Sequence, residues 1–203
     1  MDSESLGFSA DTLSGRTAIW EQVLGHLKGL PNLHFLEIGS LEGQSACWLL
    51  QNILTHETCT ITCVDLFTES FGPVTGFLST QINPALHFNR NIHTLGAEHK
   101  VIAIKGRSQQ MLRGLPLDAY DFVYADGSHH PADILTDAVL AWDCLKIGGI
   151  MCFDDYLFHL VYPQHGNPQI AIDAFLRVFE GHYDLLHKAA QVIVRKTRAF
   201  DAS

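Results

Sequence analysis

The sequence predicts an α/β fold: a doubly wound, mostly parallel sheet with helices on both faces. Three observations carry this. Segments that read as strand and as helix alternate five times along the chain. The strand segments are short unbroken apolar runs rather than alternating ones, as expected of strands buried on both faces. Four of the five strand ends carry a carboxylate, and ligands of such sheets bind beyond the carboxyl ends of the strands.

In order, the apolar positions Ala18, Ile19, Val23, Leu24 and Leu27 suit an amphipathic helix over 15–29, stopped by Pro31 and Asn32. LHFLEIG (33–39) reads as a buried strand ended by Gly39, and 43–54 as a helix. CTITCVDLF (59–67) is the next strand, and 68–84, rich in Gly, Pro, Ser and Thr, is a loop. A helix at 87–96 precedes the strand KVIAIKG (100–106). A short helix over 108–115 has Ser108 as its expected N-cap. YDFVYADG (120–127) is a strand ending in Asp-Gly, and Pro131 suits the first turn of a helix over 131–145. GGIMCFDDY (148–156) is a strand with acids at its end; a loop (157–167) and a helix (168–180) follow. The tail, 182–196, resembles a hairpin of two strands. The length suggests one domain over 1–203, with 1–30 as an N-terminal helical cap and 33–196 as the core. Right-handed crossovers complete the double winding.

Composition excludes several functions. The formal charge of −9, from 13 Lys+Arg against 22 Asp+Glu, argues against a nucleic-acid partner, since phosphate neutralisation needs a basic surface. With 47% apolar and 17% charged residues the chain does not have the signature of disorder. No apolar run approaches the ~20 residues of a membrane helix, so no membrane association is expected. The start, MDSESLGFSADTLSG, lacks the basic and apolar stretches of a secretory signal. The five cysteines, Cys47, Cys59, Cys63, Cys144 and Cys152, fit no zinc spacing and read as buried reduced thiols, as in a cytoplasmic protein.

The first strand runs into Glu37-x-Gly39-x-x-x-Gly43. Glycine permits a tight turn and close approach of a ligand to the backbone. The turn is neither G-x-G-x-x-G nor a P-loop, and with Glu37 nearby and no basic partner it suits a cationic, nucleoside-containing ligand better than a phosphate. Asp65, at the next strand end, is placed to accept hydrogen bonds from ribose hydroxyls. Read without a ligand, the glycines make a strand-helix turn and Asp65 caps a loop.

These residues resemble the class I S-adenosylmethionine-dependent methyltransferases. Their first motif, acid-x-Gly-x-x-x-Gly, matches Glu37 to Gly43, and their ribose-binding acid matches Asp65. IKGRSQQML resembles their third motif, which places Ser108 near the adenine. The resemblance spans roughly 33–196 and implies a Rossmann-like seven-stranded sheet with an antiparallel C-terminal hairpin strand. It implies S-adenosylmethionine as cofactor, held by Glu37, Gly39, Ser40, Gly43, Asp65, Ser108 and Asp126.

Asp126 ends one strand and Asp154-Asp155 the next. In neighbouring strands such ends lie ~5 Å apart, and three carboxylates that close repel one another, raising their pKa values unless a cation sits between them. Hard oxygen donors suit Mg²⁺ or another divalent cation such as Mn²⁺. Successive strand residues face opposite sides, so Asp154 and Asp155 converge only if the strand has begun to turn. Imidazole is a natural general base for a hydroxyl proton; His129 is the preferred candidate, with His130 adjacent to it. Read structurally, Asp126 caps the next helix, the acid pair and histidines are solvated, and Tyr124, Trp48 and Trp142 are core.

Asp-Gly-Ser-His followed by an acid pair resembles the small metal-dependent O-methyltransferases, including the macrolide-sugar enzymes and cephalosporin-hydroxylase-like proteins. That resemblance implies Asp126, Asp154 and Asp155 as metal ligands and His129 as base. Asp154 departs from it, since the macrolide enzymes often have Glu there. The expected function is metal-assisted methyl transfer to a hydroxyl of a small molecule. Loop aromatics Phe67, Phe71, Phe77, Tyr156, Phe158 and Tyr162 are candidates for the substrate side, and apolar loops make a homodimer plausible. The alternatives are a cofactor-binding protein without transfer and a metal-dependent hydrolase on the same sheet, the latter disfavoured by a glycine turn with no phosphate motif.

Overall fold

The computed structural model of the chain describes residues 5–68, 83–161, 163 and 166–199. Its strands are β1 (His34–Ile38), β2 (Thr60–Asp65), β3 (Val101–Lys105), β4 (Tyr120–Ala125), β5 (Leu145–Phe153), β6 (Tyr183–Lys188) and β7 (Val192–Lys196). They form one sheet in the order β3-β2-β1-β4-β5-β7-β6. The pairs from β3 through β5 are parallel, whereas β7 runs antiparallel to both β5 and β6. The helices are α1 (Thr17–Leu24), α2 (Gln44–Asn52), α3 (Pro84–Thr94), α4 (Ser108–Met111), α5 (Pro131–Cys144), α6 (Phe158–Val161) and α7 (Pro168–Val178). The doubly wound sheet with its C-terminal antiparallel hairpin is thus the one the sequence predicts.

Both faces of the sheet are buried, which is why its strands read as continuous apolar runs. On one face Phe35, Phe122, Tyr124 and Cys152 pack with Trp20 and Leu24 of α1, Leu49 of α2 and Phe88 of α3. On the other, Leu36, Ile38, Val123 and Phe153 pack with Trp142 of α5 and Phe175 of α7. Trp20 meets Tyr124 edge to face, with ring centroids 4.8 Å apart, a geometry the ring quadrupoles favour. All five cysteines are free and buried.

Boundaries shift where caps decide them. α3 starts at Pro84 rather than at 87, because Asn83 Oδ1 accepts from Leu86 N at 3.0 Å and proline suits the first turn. Arg107, not Ser108, is the N-cap of α4; Ser108 is its first residue, and a 3₁₀ turn at Leu112–Gly114 follows the helix. β5 starts at Leu145, three residues before the expected 148. The expected loop 157–167 contains α6. Most of the expected loop 68–84, with Phe71 and Phe77, and also Tyr162, lies outside the described residues.

Candidate active site

The sheet's winding reverses between β1 and β4, and there the backbones meet at the carboxyl ends. Gly39 N donates to Val64 O at 2.9 Å and Asp126 N to Ile38 O at 2.8 Å. Gly39 has φ +84°, and a Cβ on it would stand 2.2 Å from Asp126 O. A cavity of about 580 Å³ opens above this crossing, lined by Gly39, Ser40, Asp65, Asp126, His129, Asp155 and residues of the N-terminal segment. That volume lies within the ~300–1,000 Å³ of small-molecule sites.

Asp65 shapes the glycine turn. Its Oδ2 accepts from Ser40 N at 2.8 Å and Leu41 N at 3.0 Å, and its Oδ1 from Phe67 N at 2.6 Å. A carboxylate has about four lone-pair positions, so about one is left for an outside donor. Gly43, with φ +80°, is the N-cap of α2 and packs against Phe88, off the cavity wall. Ser108 also stands off the wall, its Oγ donating to Asp137 Oδ2 at 2.8 Å.

Glu37 lies beneath the cavity floor, fully buried among core side chains, with Oε1 accepting from Ser45 Oγ and Oε2 without a hydrogen-bond partner. Burial pushes its carboxyl up to about 7. The native state therefore holds this proton more tightly than the unfolded chain. Glu37 adds stability that is complete below its ordinary pKa of 4.5 and lost as pH rises through about 7. Glu37→Gln is expected to gain roughly 2–3 kcal/mol on the wild type between pH 5 and pH 8, read from urea melts at both values. A constant difference across that range would show that Glu37 does not titrate there.

The acids converge as the register requires. β4 and β5 pair Tyr124 with Cys152 and Ala125 with Phe153. Asp126 and Asp154, each two residues past a side chain on the α1 face, emerge on that same face. Asp155 has φ +59°, a left-handed turn that aspartate tolerates. This bend lets both members of the pair face one point, and oxygens of Asp126, Asp154 and Asp155 lie within 4.8 Å of one another. Tyr124 OH stands 2.9 Å from Asp126 Oδ2 and 2.6 Å from Asp154 Oδ2. A phenol has one proton to give, so the two carboxylates share this single donor. Burial, then the neighbouring Asp154 and Asp155 charges, push the Asp126 carboxyl well up.

His129 reaches this cluster, its Nε2 2.8 Å from Asp155 Oδ2 and its ring stacked on Phe158 with centroids 3.9 Å apart. Gly166 lets its loop lie against the His129 carbonyl, where a Cβ would stand at 2.2 Å. His130 is exposed and is the N-cap of α5, a position the purely structural reading gave to Asp126. Of the candidate aromatics, Phe158 lines the cavity. Phe67 and Tyr156 are core: Phe67 packs on Phe88, and Tyr156 OH donates to Asp173 Oδ1 at 2.9 Å.

Two features carried no sequence signal. Residues 7–16 form one wall of the cavity: Gly7 N donates to Asn91 Oδ1, Ser9 N and Oγ to Glu42 Oε2, and Thr12 N and Oγ to Gln44 Oε1. At its end Arg16 donates from Nε to Asp154, 2.9 Å from Oδ1 and 2.8 Å from Oδ2, with Nη2 3.5 Å from Asp155 Oδ1.

A parallel sheet with an antiparallel C-terminal strand, a glycine turn at its reversal and an acidic rim define a class I methyltransferase. Residues 36–156 match the family described as methyltransferase domain, and the chain belongs to it: it is an S-adenosylmethionine-dependent methyltransferase. No curated protein matches the sequence. Among solved structures, a protein from Corynebacterium glutamicum is 21% identical, with 91% of this chain and 83% of that one covered at a TM-score of 0.64. The O-methyltransferase from Bacillus cereus, solved with S-adenosylhomocysteine, is 16% identical over 95% of this chain and 84% of that one, TM-score 0.58. MycE from the mycinamycin biosynthetic pathway, solved with Mg, S-adenosylhomocysteine and mycinamycin VI, is 16% identical over 94% of this chain and 51% of that one, TM-score 0.64. Among the described residues no helix is long and apolar enough to cross a membrane.

Proposed function

We propose that the chain transfers a methyl group to a hydroxyl of a small molecule, with a divalent cation on Asp126, Asp154 and Asp155 and with His129 as the base. The observation that carries this reading is the convergence of three carboxylates within 4.8 Å, one of them 2.8 Å from His129, on the rim of the cavity. Hard, all-oxygen donors fit Mg²⁺ or Mn²⁺ rather than zinc, and the fold neighbour MycE was solved with Mg. An acidic rim around a glycine turn fits a sulfonium-bearing nucleoside. When bound, the cofactor supplies an electrophilic methyl group and the cation lowers the pKa of a hydroxyl held against it.

The chain's own residues do the rest. Gly39 keeps the crossing clear of a side chain, while Ser40 and Asp65 present the turn. With Nε2–H donated to Asp155, His129 keeps the Nδ1 lone pair free for the hydroxyl proton. Asp155 and Phe158 hold the ring in place, so the base needs no reorientation. The wall made by residues 7–16 limits the access of water.

Calorimetry with S-adenosylhomocysteine followed by turnover on catechol, sugar and polyol panels tests this, each assay run with EDTA and with Mg²⁺ restored. Turnover lost in EDTA and regained with Mg²⁺ is expected. Turnover unaffected by EDTA would remove the cation from the reading, and binding without turnover on any hydroxyl would remove the acceptor class.

A further inference from the structure

We propose that Arg16 is a built-in counter-ion of the three-acid cluster, and that its guanidinium and a divalent cation occupy Asp154 and Asp155 by turns. This rests on the cation reading above and adds what controls it. Asp154 is buried and already accepts from three sides: Arg16 Nε at 2.9 Å and Gln191 Nε2 at 3.2 Å on Oδ1, and Tyr124 OH at 2.6 Å on Oδ2. Arg16 Nε also stands 2.8 Å from Oδ2, so each oxygen faces two donors, about as many as its lone pairs take, and a cation that takes this group in its coordination shell must displace one of them. Tyr124 and Gln191 are enclosed, at 1% and 2% exposure, and Gln191 is itself held by Trp20 Nε1 at 3.0 Å. Arg16 is the donor free to leave, with 29% of its side chain exposed on the cavity wall. Like charge acts in the same direction, because a guanidinium and a divalent cation on one pair of carboxylates repel each other.

The competition extends to the wall of the cavity. Arg16 Nη1 also donates to Thr12 O, and Thr12 is held to Gln44 of α2. Seated on the acids, Arg16 anchors the end of the segment that walls the cavity. Displaced by a cation, it frees that anchor. Metal loading and the seating of residues 7–16 are thereby linked, and the linkage is reciprocal.

Two measurements on the full chain test this. The first is Mn²⁺ binding, followed by the electron paramagnetic resonance of the free ion, for the wild type and Arg16→Gln. The variant is expected to bind about tenfold or more tightly, since it removes the competing charge. The second needs no variant: trypsin cuts after Arg16 only when the guanidinium is released from the acids. Mn²⁺ is expected to speed cleavage of the Arg16–Thr17 bond about fivefold or more, because cleavage follows the population of the open form. Equal Mn²⁺ affinity in the two proteins, or cleavage that Mn²⁺ leaves unchanged, would overturn the competition while leaving the cation site standing. Absence of Mn²⁺ binding in both proteins would overturn the competition and the cation reading together.

Discussion

Replacing His129 by alanine is expected to lower kcat by about 10²–10⁴-fold, the usual contribution of a positioned general base. The affinity for S-adenosylhomocysteine should stay within about threefold, a change worth under 1 kcal/mol. The separation of the two effects follows from placement. His129 touches Asp155 and Phe158, whereas Ser40 and Asp65 form the turn without it. Its hydrogen bond is part of the expected effect: the Asp155 carboxylate holds Nε2 at 2.8 Å and leaves Nδ1 as the acceptor, the arrangement of a base oriented by a third group. His130→Ala supplies the contrast. That side chain is exposed, and its backbone N–H donates to Ser128 Oγ at 3.1 Å whatever the side chain is. Kinetics with saturating cofactor and varied acceptor would decide. Full turnover in His129→Ala, or an equal loss in His130→Ala, removes the assignment.

How much of this was legible in the sequence depends on the range of the interaction. Strand ends could be read because apolar runs stop where the sheet stops, so the placement of Asp65, Asp126 and Asp154 at one end of the sheet followed from local pattern, whereas Glu37 lies inside its strand. Their division of labour could not be read. Glu37 and Asp65 both carry a carboxyl group near a strand end, yet one points into the core and the other into the turn, a distinction set by pleat and register rather than by residue type. Asp155 posed a difficulty from alternation alone, and its left-handed backbone resolves it. Tyr124 reads as core and is core, but its hydroxyl ends between two carboxylates. Arg16 lies 138 positions from Asp154. Nothing near residue 16 marks that contact, which exists because α1 packs on the sheet face from which the acids emerge.

Gly39→Ala carries the largest expected cost to the fold. Its φ of +84° is strained for any residue with a Cβ, a penalty of roughly 1–2 kcal/mol. The new methyl would also meet Asp126 O at 2.2 Å and Asp126 C and Gly127 Cα at 2.6 Å. All three are backbone atoms, so no side chain can rotate away, and relief requires β1 and β4 to part at their ends. Overpacking of that kind adds about 1–3 kcal/mol. The sum, ~2–5 kcal/mol, is a large share of the ~5–15 kcal/mol that holds a typical domain. The same parting would stretch the bond from Asp126 N to Ile38 O and move Asp126 relative to Asp154, so cofactor and cation sites should both suffer in whatever fraction still folds. Gly43→Ala is the control. Its φ of +80° is equally strained, but its Cβ would meet the Phe88 ring at 2.8 Å, a side chain that can yield. Urea melts of the two variants should rank Gly39→Ala as the less stable by about 1–2 kcal/mol. Equal midpoints would mean that backbone strain alone sets the cost, and that the close crossing of β1 and β4 is not what requires glycine at position 39.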